Sequence, residues 1–563
     1  MNKIIFILPV LAIMFGCLPK FLTRSSMGEA PKEPKSFPEL SERNRLLGAL
    51  LPERICYDIQ HYHINLDIDP DLKYLKGYVD ITAVTVSDFT LLQIDLAKSM
   101  QLNGVYYLEN ILNTTRVEDA VMVEFPPMKQ GAKFKFRVAY EGQPQVAKRP
   151  PWDGGFVWEK DQKGRPFISV TCEGDGANLW WPLKDHIVDE PDNGAKMTFT
   201  VPEDLFCVSN GRLTSTIPGS ISGKKVYNWE VINPINNYNI SVQLGHYVLI
   251  QDTINHNGQI DTLNYYVLDY HEEVGRNHFK QAKKIIRFFE KYFGEYPWWE
   301  DGYKLVEVSY LGMEHQSAVT YGNSWNNWGG TRTWTSQYYG IIDGLLFHET
   351  AHEWWGNSVT AADPAHMWIH EGMAVYSEAV FIEDQLGYNV MIDFLLSRRK
   401  SINNKQPIVG PENENYWSFG DSYTKGAWVL HTLRHVIDND KLWWHILKSF
   451  AAENISNHVK TIDFLLHVNT MTGKDFSYFF KQYFYDHRPP ELQYYQIDHK
   501  LYYRWANVIP DFTMPLDVNI NGVEKRIYPT NKVQELKIPE YSVIIFRDWE
   551  FLINIKEKSE LDG

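Results

Sequence analysis

His348 and His352 stand four positions apart in the run Leu346-Phe347-His348-Glu349-Thr350-Ala351-His352-Glu353-Trp354-Trp355-Gly356. On a helix that spacing puts both imidazoles on one face, a single turn apart, where they can bind one metal ion. Nineteen positions after His352 comes Glu371, in Trp368-Ile369-His370-Glu371-Gly372-Met373-Ala374. Two histidines and one carboxylate leave a coordination position open, which marks a catalytic rather than a structural zinc site. Glu349 cannot comfortably ligate the same ion as its neighbour His348. It can accept a proton from a water that the ion polarises, and later pass that proton to a departing amine. The surrounding residues are apolar, and burying imidazole and carboxylate among them is costly unless they are paired or bound to metal. The expected cofactor is one zinc ion on His348, His352 and Glu371, with Glu349 as general base. Glu378, two turns after Glu371 on the same helix face, is a candidate hydrogen-bond partner for a ligating histidine.

These residues need helices to carry them. One reads from about Tyr339 to Trp355 and closes at Gly356; a second, from about Met367 to Leu386, carries Glu371 and closes at Gly387. A third runs from Tyr423 to Ile437, with Asp421 or Ser422 as its N-cap. Earlier, Phe279, Ala282, Ile285, Ile286, Phe289 and Phe293 share one helix face that ends before Gly294 and Pro297, and Leu305 to Tyr310 reads as a short extended piece. Lys441 to Ala452, Thr461 to Asn469 and Lys474 to Tyr485 follow as helices, and Pro489-Pro490 breaks the run. Before residue 250 the period is two: Tyr62, Ile64, Leu66 and Ile68 alternate with polar residues, and Asn103-Gly104, Asn210-Gly211 and Asn257-Gly258 read as turns. Alternation returns after Pro490. The expected fold is a multidomain α+β chain. Its β-rich N-terminal domain covers residues 56–260, its mainly helical zinc domain 261–490, and a small C-terminal β domain 491–563.

A length of 563 residues suits two to four domains, and 14% aromatic residues suit large cores or aromatic-lined clefts. A net charge of −15 argues against nucleic acid as a partner, because phosphate binding needs a basic surface. Met1-Asn2-Lys3, the apolar stretch Ile4 to Phe15 and then Gly16-Cys17 read as a signal peptide ending in a bacterial lipobox at residues 1–17. That stretch is too short to span a bilayer comfortably. Cys17 would carry the lipid and form a membrane tether; an ordinary cleaved signal and a retained anchor are the alternatives. Residues 18–55, with Pro31, Pro34, Pro38 and Pro52, read as a tether. The expected location is the periplasm or the outer membrane and cell surface, as a lipoprotein. Cys56, Cys172 and Cys207 are too few and too far apart for a disulfide framework.

In combination, four separated pieces resemble the aminopeptidase N-like family of zinc metallopeptidases, the gluzincin aminopeptidases that include a leukotriene-hydrolysing branch. They are His348-Glu349-x-x-His352 with Glu371-Gly372, Leu311-Gly312-Met313-Glu314-His315, Tyr423-Thr424-Lys425-Gly426-Ala427, and the β-region segments Trp181-Pro182 to Asp189-Glu190-Pro191 with Ser209-Asn210-Gly211. The resemblance implies a saddle-like N-terminal domain and a thermolysin-like catalytic domain. It implies that Glu314 and Glu173 bind the free α-amino group of a peptide, that the backbone of Gly312 and Met313 holds the peptide extended, and that Tyr423 hydrogen-bonds the oxyanion. Peptides with a free N-terminus are the implied substrates. Leu311, His315 and His370 depart from the family pattern, and His315 falls beside the amine site. The residues after 490 leave no room for the long helical domain of many relatives, so an open cleft is expected. A related hydrolase acting on an epoxide lipid, or a binding scaffold without activity, are the competing readings.

Overall fold

In the computed structural model of the chain, the described residues are Met27, 33–322, 341–417 and 420–561. The leader through Cys17 lies outside them, as does the start of the helix expected from Tyr339. Among the described residues no helix is long and apolar enough to cross a membrane.

The strand Tyr57–Asp69 organises the first domain. Its Tyr62, Ile64, Leu66 and Ile68 are fully buried while the residues between them are partly exposed, so one pleat face builds core and the other meets water. It pairs antiparallel with Tyr74–Thr85 and parallel with Ala195–Pro202 inside an eight-stranded sheet. A three-stranded and a four-stranded sheet complete the domain, whose core holds Trp180, Trp181 and Trp229. Asn257-Gly258 is a hairpin turn with φ of 47° and 86°, the left-handed pair that a type I′ turn demands. Asn103-Gly104 is not a turn. It lies within the strand Met100–Tyr107, where the pairing register shifts between Leu102 and Gly104 as in a bulge.

The domain division differs from the expected one. Tyr247–His256 and Gln259–Leu268 form a hairpin that continues through Tyr303–Glu307 and Val319–Tyr321 to Gly312–Met313 in one five-stranded sheet. A boundary between 260 and 261 would cut this hairpin in two; the sheet places the change near Tyr247. The helices are α1 (Glu42–Gly48), α2 (Pro52–Ile55), α3 (Glu272–His278), α4 (Ala282–Tyr292), α5 (Gly344–Ala351), α6 (Trp368–Leu386), α7 (Tyr388–Arg399), α8 (Thr424–Ile437), α9 (Asp440–Glu453), α10 (Thr461–Thr472) and α11 (Ser477–Phe484). The C-terminal strands form a four-stranded and a three-stranded sheet, and their Trp505, Phe551 and Leu552 belong to the same continuous core as the catalytic helices.

The described part of the expected tether is folded onto the body. Lys35 N–H donates to the Lys405 carbonyl at 2.8 Å, and Asn44 and Asn415 exchange two hydrogen bonds of 2.9 and 2.6 Å. Arg54 is fully buried, 2.9 Å from Asp95, and also donates to the Leu47 and Asp185 carbonyls. A buried cation with these partners fastens the segment to the first domain and is not a linker.

Candidate active site

Asp343 caps α5 by accepting from the backbone N–H groups of Leu345 and Leu346 at 2.9 and 3.1 Å. All eight residues of α5 are buried, including His348 and Glu349. Regular helix stops at Ala351, but His352 keeps right-handed φ and ψ of −65° and −18° and so remains one turn below His348. His348 Nδ1 lies 2.9 Å from Glu378 Oε1, and His352 Nδ1 lies 2.9 Å from the Trp355 carbonyl. With the Nδ1 atoms occupied, the two Nε2 atoms face each other at 3.3 Å, and Glu371 Oε2 is 3.3 and 3.6 Å from them.

A tetrahedral zinc ion with bonds of about 2.0–2.1 Å requires ligand atoms about 3.3–3.4 Å apart, so this buried triangle fits it. A second acidic grouping, Glu314, Glu349 and His352, shares His352 with the first. It lacks the second imidazole, and its Glu314 is already engaged by the Tyr238 hydroxyl.

Glu349 lies against Gly312. A Cβ added at Gly312 would come within 3.2–3.3 Å of the Glu349 side chain and 3.1 Å of the Thr320 carbonyl, so this position needs glycine for close approach. Gly312 and Met313 form the terminal strand of the five-stranded sheet, paired on one side with Tyr321 and Thr320. Burial, reinforced by Glu314 and Glu371, pushes the pKa of Glu349 well above the ordinary carboxylate range, while His348 opposes it. A cation in the neighbouring triangle draws such a carboxyl back toward ionisation.

Glu314 accepts from the Tyr238 hydroxyl at 3.1 Å, and Asn357 donates to its backbone carbonyl at 2.8 Å. Glu173 faces it. Burial and the Glu314 charge push Glu173 upward; burial also pushes Glu314 upward, but His352 and hydrogen bonding more than offset this. An incoming ammonium group placed between the two carboxyls would favour the ionised form of both. Asn210 and Gly211 tie the loop after Glu314 by bonds to the Gln316 carbonyl, 2.7 Å, and the Ser317 hydroxyl, 2.9 Å. Glu353, buried on the turn after His352, accepts from Ser317 N–H at 2.9 Å.

Tyr423 stands at the mouth of α8, with no side chain capping the helix. The expected cap at Asp421 or Ser422 is not formed; the Asp421 side chain instead accepts from Asn403 and Asn404 N–H at 2.8 Å each. The Tyr423 ring lies between those of His348 and Trp417, 6.2 and 6.3 Å away, and burial together with Glu371 keeps its phenol protonated. Its position depends on two glycines: a Cβ on Gly426 would sit 2.9 Å from the Gly372 Cα. Gly426→Ala gains about 1 kcal/mol of helix propensity but meets rigid backbone, and overpacking costs about 1–3 kcal/mol. We expect a net loss of stability in denaturant melts together with reduced turnover, because Glu371 and Tyr423 separate.

His315 does not line the cleft. It is fully buried, with Nε2 3.1 Å from the Val170 carbonyl, and it joins the Glu314 segment to the first domain. His370 accepts the Ala361 N–H at Nε2, 2.8 Å. Burial pushes the pKa of His315 down to about 4 and, with Arg54, that of His186 down to about 3. Stability tied to their neutral forms is complete above the ordinary value of about 6.5 and is lost as the pH falls through that range toward 4 and 3. The His315 contribution is about 3 kcal/mol. Melts between pH 7 and 4 should show a shallower acid decline for His315→Asn; identical slopes would refute a buried neutral His315 as a source of acid sensitivity.

Residues 277–483 match the model of the peptidase family M1 domain. Over this stretch the chain is similar to the aminopeptidases and zinc metallopeptidases of that family. A leucyl aminopeptidase of Saccharolobus solfataricus is 25% identical over 53% of this chain and 39% of its own. Human endoplasmic reticulum aminopeptidase 2 is 28% identical over 31% and 20%, and leucine aminopeptidase 2-1 of Meyerozyma guilliermondii 26% identical over 86% and 71%. The chain thus spans well under half of the first two relatives. A crystal structure of an M1 zinc metallopeptidase mutant from Deinococcus radiodurans, bound to a Tyr-Ser-Ala substrate, superposes with a TM-score of 0.61 at 21% identity, covering 78% of this chain and 94% of that one. That likeness establishes a shared fold.

Sequence reasoning did not pick out Tyr238, Glu353 or Asn357. Asn236-Asn237-Tyr238-Asn239 carries no periodic signal, and their partners lie dozens of residues away.

Proposed function

We propose that this chain is a zinc aminopeptidase that removes N-terminal residues from peptides. The observation that carries the reading is that Glu314, held by the Tyr238 hydroxyl, and Glu173 line one cavity of about 480 Å³ together with the His348, His352 and Glu371 triangle. Zinc, held by that triangle, would supply a Lewis acid for the scissile carbonyl and lower the pKa of a water. Glu349 takes a proton from the attacking water and returns it to the leaving amine. Tyr423 donates a hydrogen bond to the oxygen on which negative charge develops. Glu314 and Glu173 bind the substrate ammonium by charge-assisted hydrogen bonds, which fixes cleavage after the first residue. Among the described residues Gly312–Met313 pairs on one side only, and an extended peptide backbone can pair on the other. Glu378 holds His348 in the tautomer whose Nε2 faces the ion.

The test compares aminoacyl fluorogenic amides with their N-acetyl counterparts and includes a zinc assay. Selective hydrolysis of the free amine supports the reading, whereas equal cleavage of both would remove Glu314 and Glu173 from it. We also propose export with lipid on Cys17. Incorporation of labelled palmitate that is lost in Cys17→Ser is the expected result, and no incorporation in the parent overturns it.

A further inference from the structure

Glu314 and the metal triangle belong to different elements, and their separation decides which peptide bond reaches the metal. Glu314 follows directly after the terminal strand Gly312–Met313 of the five-stranded sheet, whereas His352 closes α5. Successive residues of an extended peptide lie about 3.3–3.6 Å apart, so a shift of Glu314 by that much would present the second carbonyl in place of the first.

Asn357 joins the two. Its backbone N–H donates to the His352 carbonyl at 2.9 Å, and its Nδ2 donates to the Glu314 carbonyl at 2.8 Å. Its Oδ1 accepts from Asn239 Nδ2 at 2.6 Å, so the first domain holds the same amide from the other side. The Asn239 carbonyl in turn accepts from Asn210 Nδ2 at 2.9 Å, and that nitrogen also reaches the Gln316 carbonyl at 2.7 Å. Asn239 and Asn357 are fully buried, and neither side chain lines the cavity. A buried amide with donor and acceptor both engaged permits little play, because displacement strands a polar group away from water. Gly356 lets the chain deliver Asn357 there. Its φ is 131°, and a Cβ would come within 3.2 Å of the His370 ring and 3.4 Å of His352 Nδ1. A parallel tie runs from Ser317 N–H to Glu353, but neither of its ends is Glu314 or a residue of the triangle.

We infer that Asn357, held by Asn239, is a positioning residue that sets the distance between the amine-binding carboxylate and the metal triangle, and so converts recognition of the amino group into cleavage after the first residue. This inference rests on the aminopeptidase reading and adds to it the part of the fold that measures the substrate. Ammonium bound at Glu314 speeds the reaction only if the scissile carbonyl then arrives in register with the metal and Glu349. A misplacement of about 1 Å costs about 10²-fold in rate. Tyr238 fixes the Glu314 carboxylate, and Asn357 fixes the backbone that carries it.

The experiment uses the zinc-loaded protein and two pairs of ligands whose members differ at the α-amino group. One pair is leucine hydroxamate and its des-amino analogue, which both bind zinc through the hydroxamate; the other is a leucyl amide substrate and its N-acetyl form. The ratio of the two hydroxamate Kd values reports how well one molecule spans both sites, as an effective concentration. Asn357→Ser and Asn239→Ala should each lower that ratio about tenfold and lower the free-amine to N-acetyl ratio of kcat/KM by a similar factor, with zinc retained. A merely structural loss weakens both members of a pair alike and leaves the ratios at the parent value. Ratios unchanged in both zinc-loaded variants, or failure of both variants to hold zinc, overturn the inference and leave the two asparagines a structural role. A parent protein with no preference for the free amine in either pair would instead defeat the aminopeptidase reading, so the two failures are distinguishable.

Discussion

Replacing Glu349 by Gln is expected to lower kcat/KM on a free-amine substrate by about 10²–10⁴-fold, the range attributed to a positioned general base. The amide keeps the shape that Gly312 accommodates but cannot accept a proton from water. Zinc content should remain at one ion per chain, because Glu349 is not in the His348, His352 and Glu371 triangle. Thermal stability should hold or rise. Glu349 is a buried carboxyl whose ionisation is opposed by burial and by Glu314 and Glu371, and a neutral amide of the same shape avoids that cost. Activity within about threefold of the parent would take the base role away from Glu349.

Removing zinc should have the larger effect. Chelation is expected to abolish hydrolysis and to lower the melting temperature, with both restored by one equivalent of zinc. Glu173, Glu314, Glu349 and Glu371 line a single cavity, and a dication is the natural counter-charge for so many carboxyls. At a free concentration a thousand times its Kd, a ligand of the native state alone adds about 4 kcal/mol. His348→Ala should lose both zinc retention and the zinc-dependent rise in melting temperature. A melting temperature indifferent to zinc, in a chain that retains none after dialysis, would eliminate the metal centre.

Much of this site was legible because its ligands sit on two short stretches whose helical spacing alone brings them together. His348, Glu349 and His352 needed one turn of helix, and Glu371 a second helix packed alongside. The amine site was harder. Glu173 and Glu314 are far apart in the chain, and only a family resemblance joined them; Tyr238, which orients Glu314, offered no pattern at all. α7 was missed because Tyr388–Arg399 is amphipathic only weakly and follows Gly387 without a capping side chain. The boundary near 260 failed because a hairpin reads alike whether it closes one sheet or opens the next, and pairing with Tyr303–Glu307 decides it. His315 looked like a change in the substrate pocket, yet burial and the Val170 carbonyl make it a tie between domains.

The folded segment before Tyr57 bears on how the protein should be produced. A recombinant version trimmed to the first strand would lose Arg54 and leave Asp95 buried beside Asp185 without its cation, a change that typically costs about 3–5 kcal/mol. It would also remove α1, whose Leu47 and Gly48 help to enclose the small cavity behind Glu173. Low yield or weak activity from so short a version would reflect the cut and not the enzyme. A form begun ahead of Lys35 keeps every one of these contacts without residues 1–17.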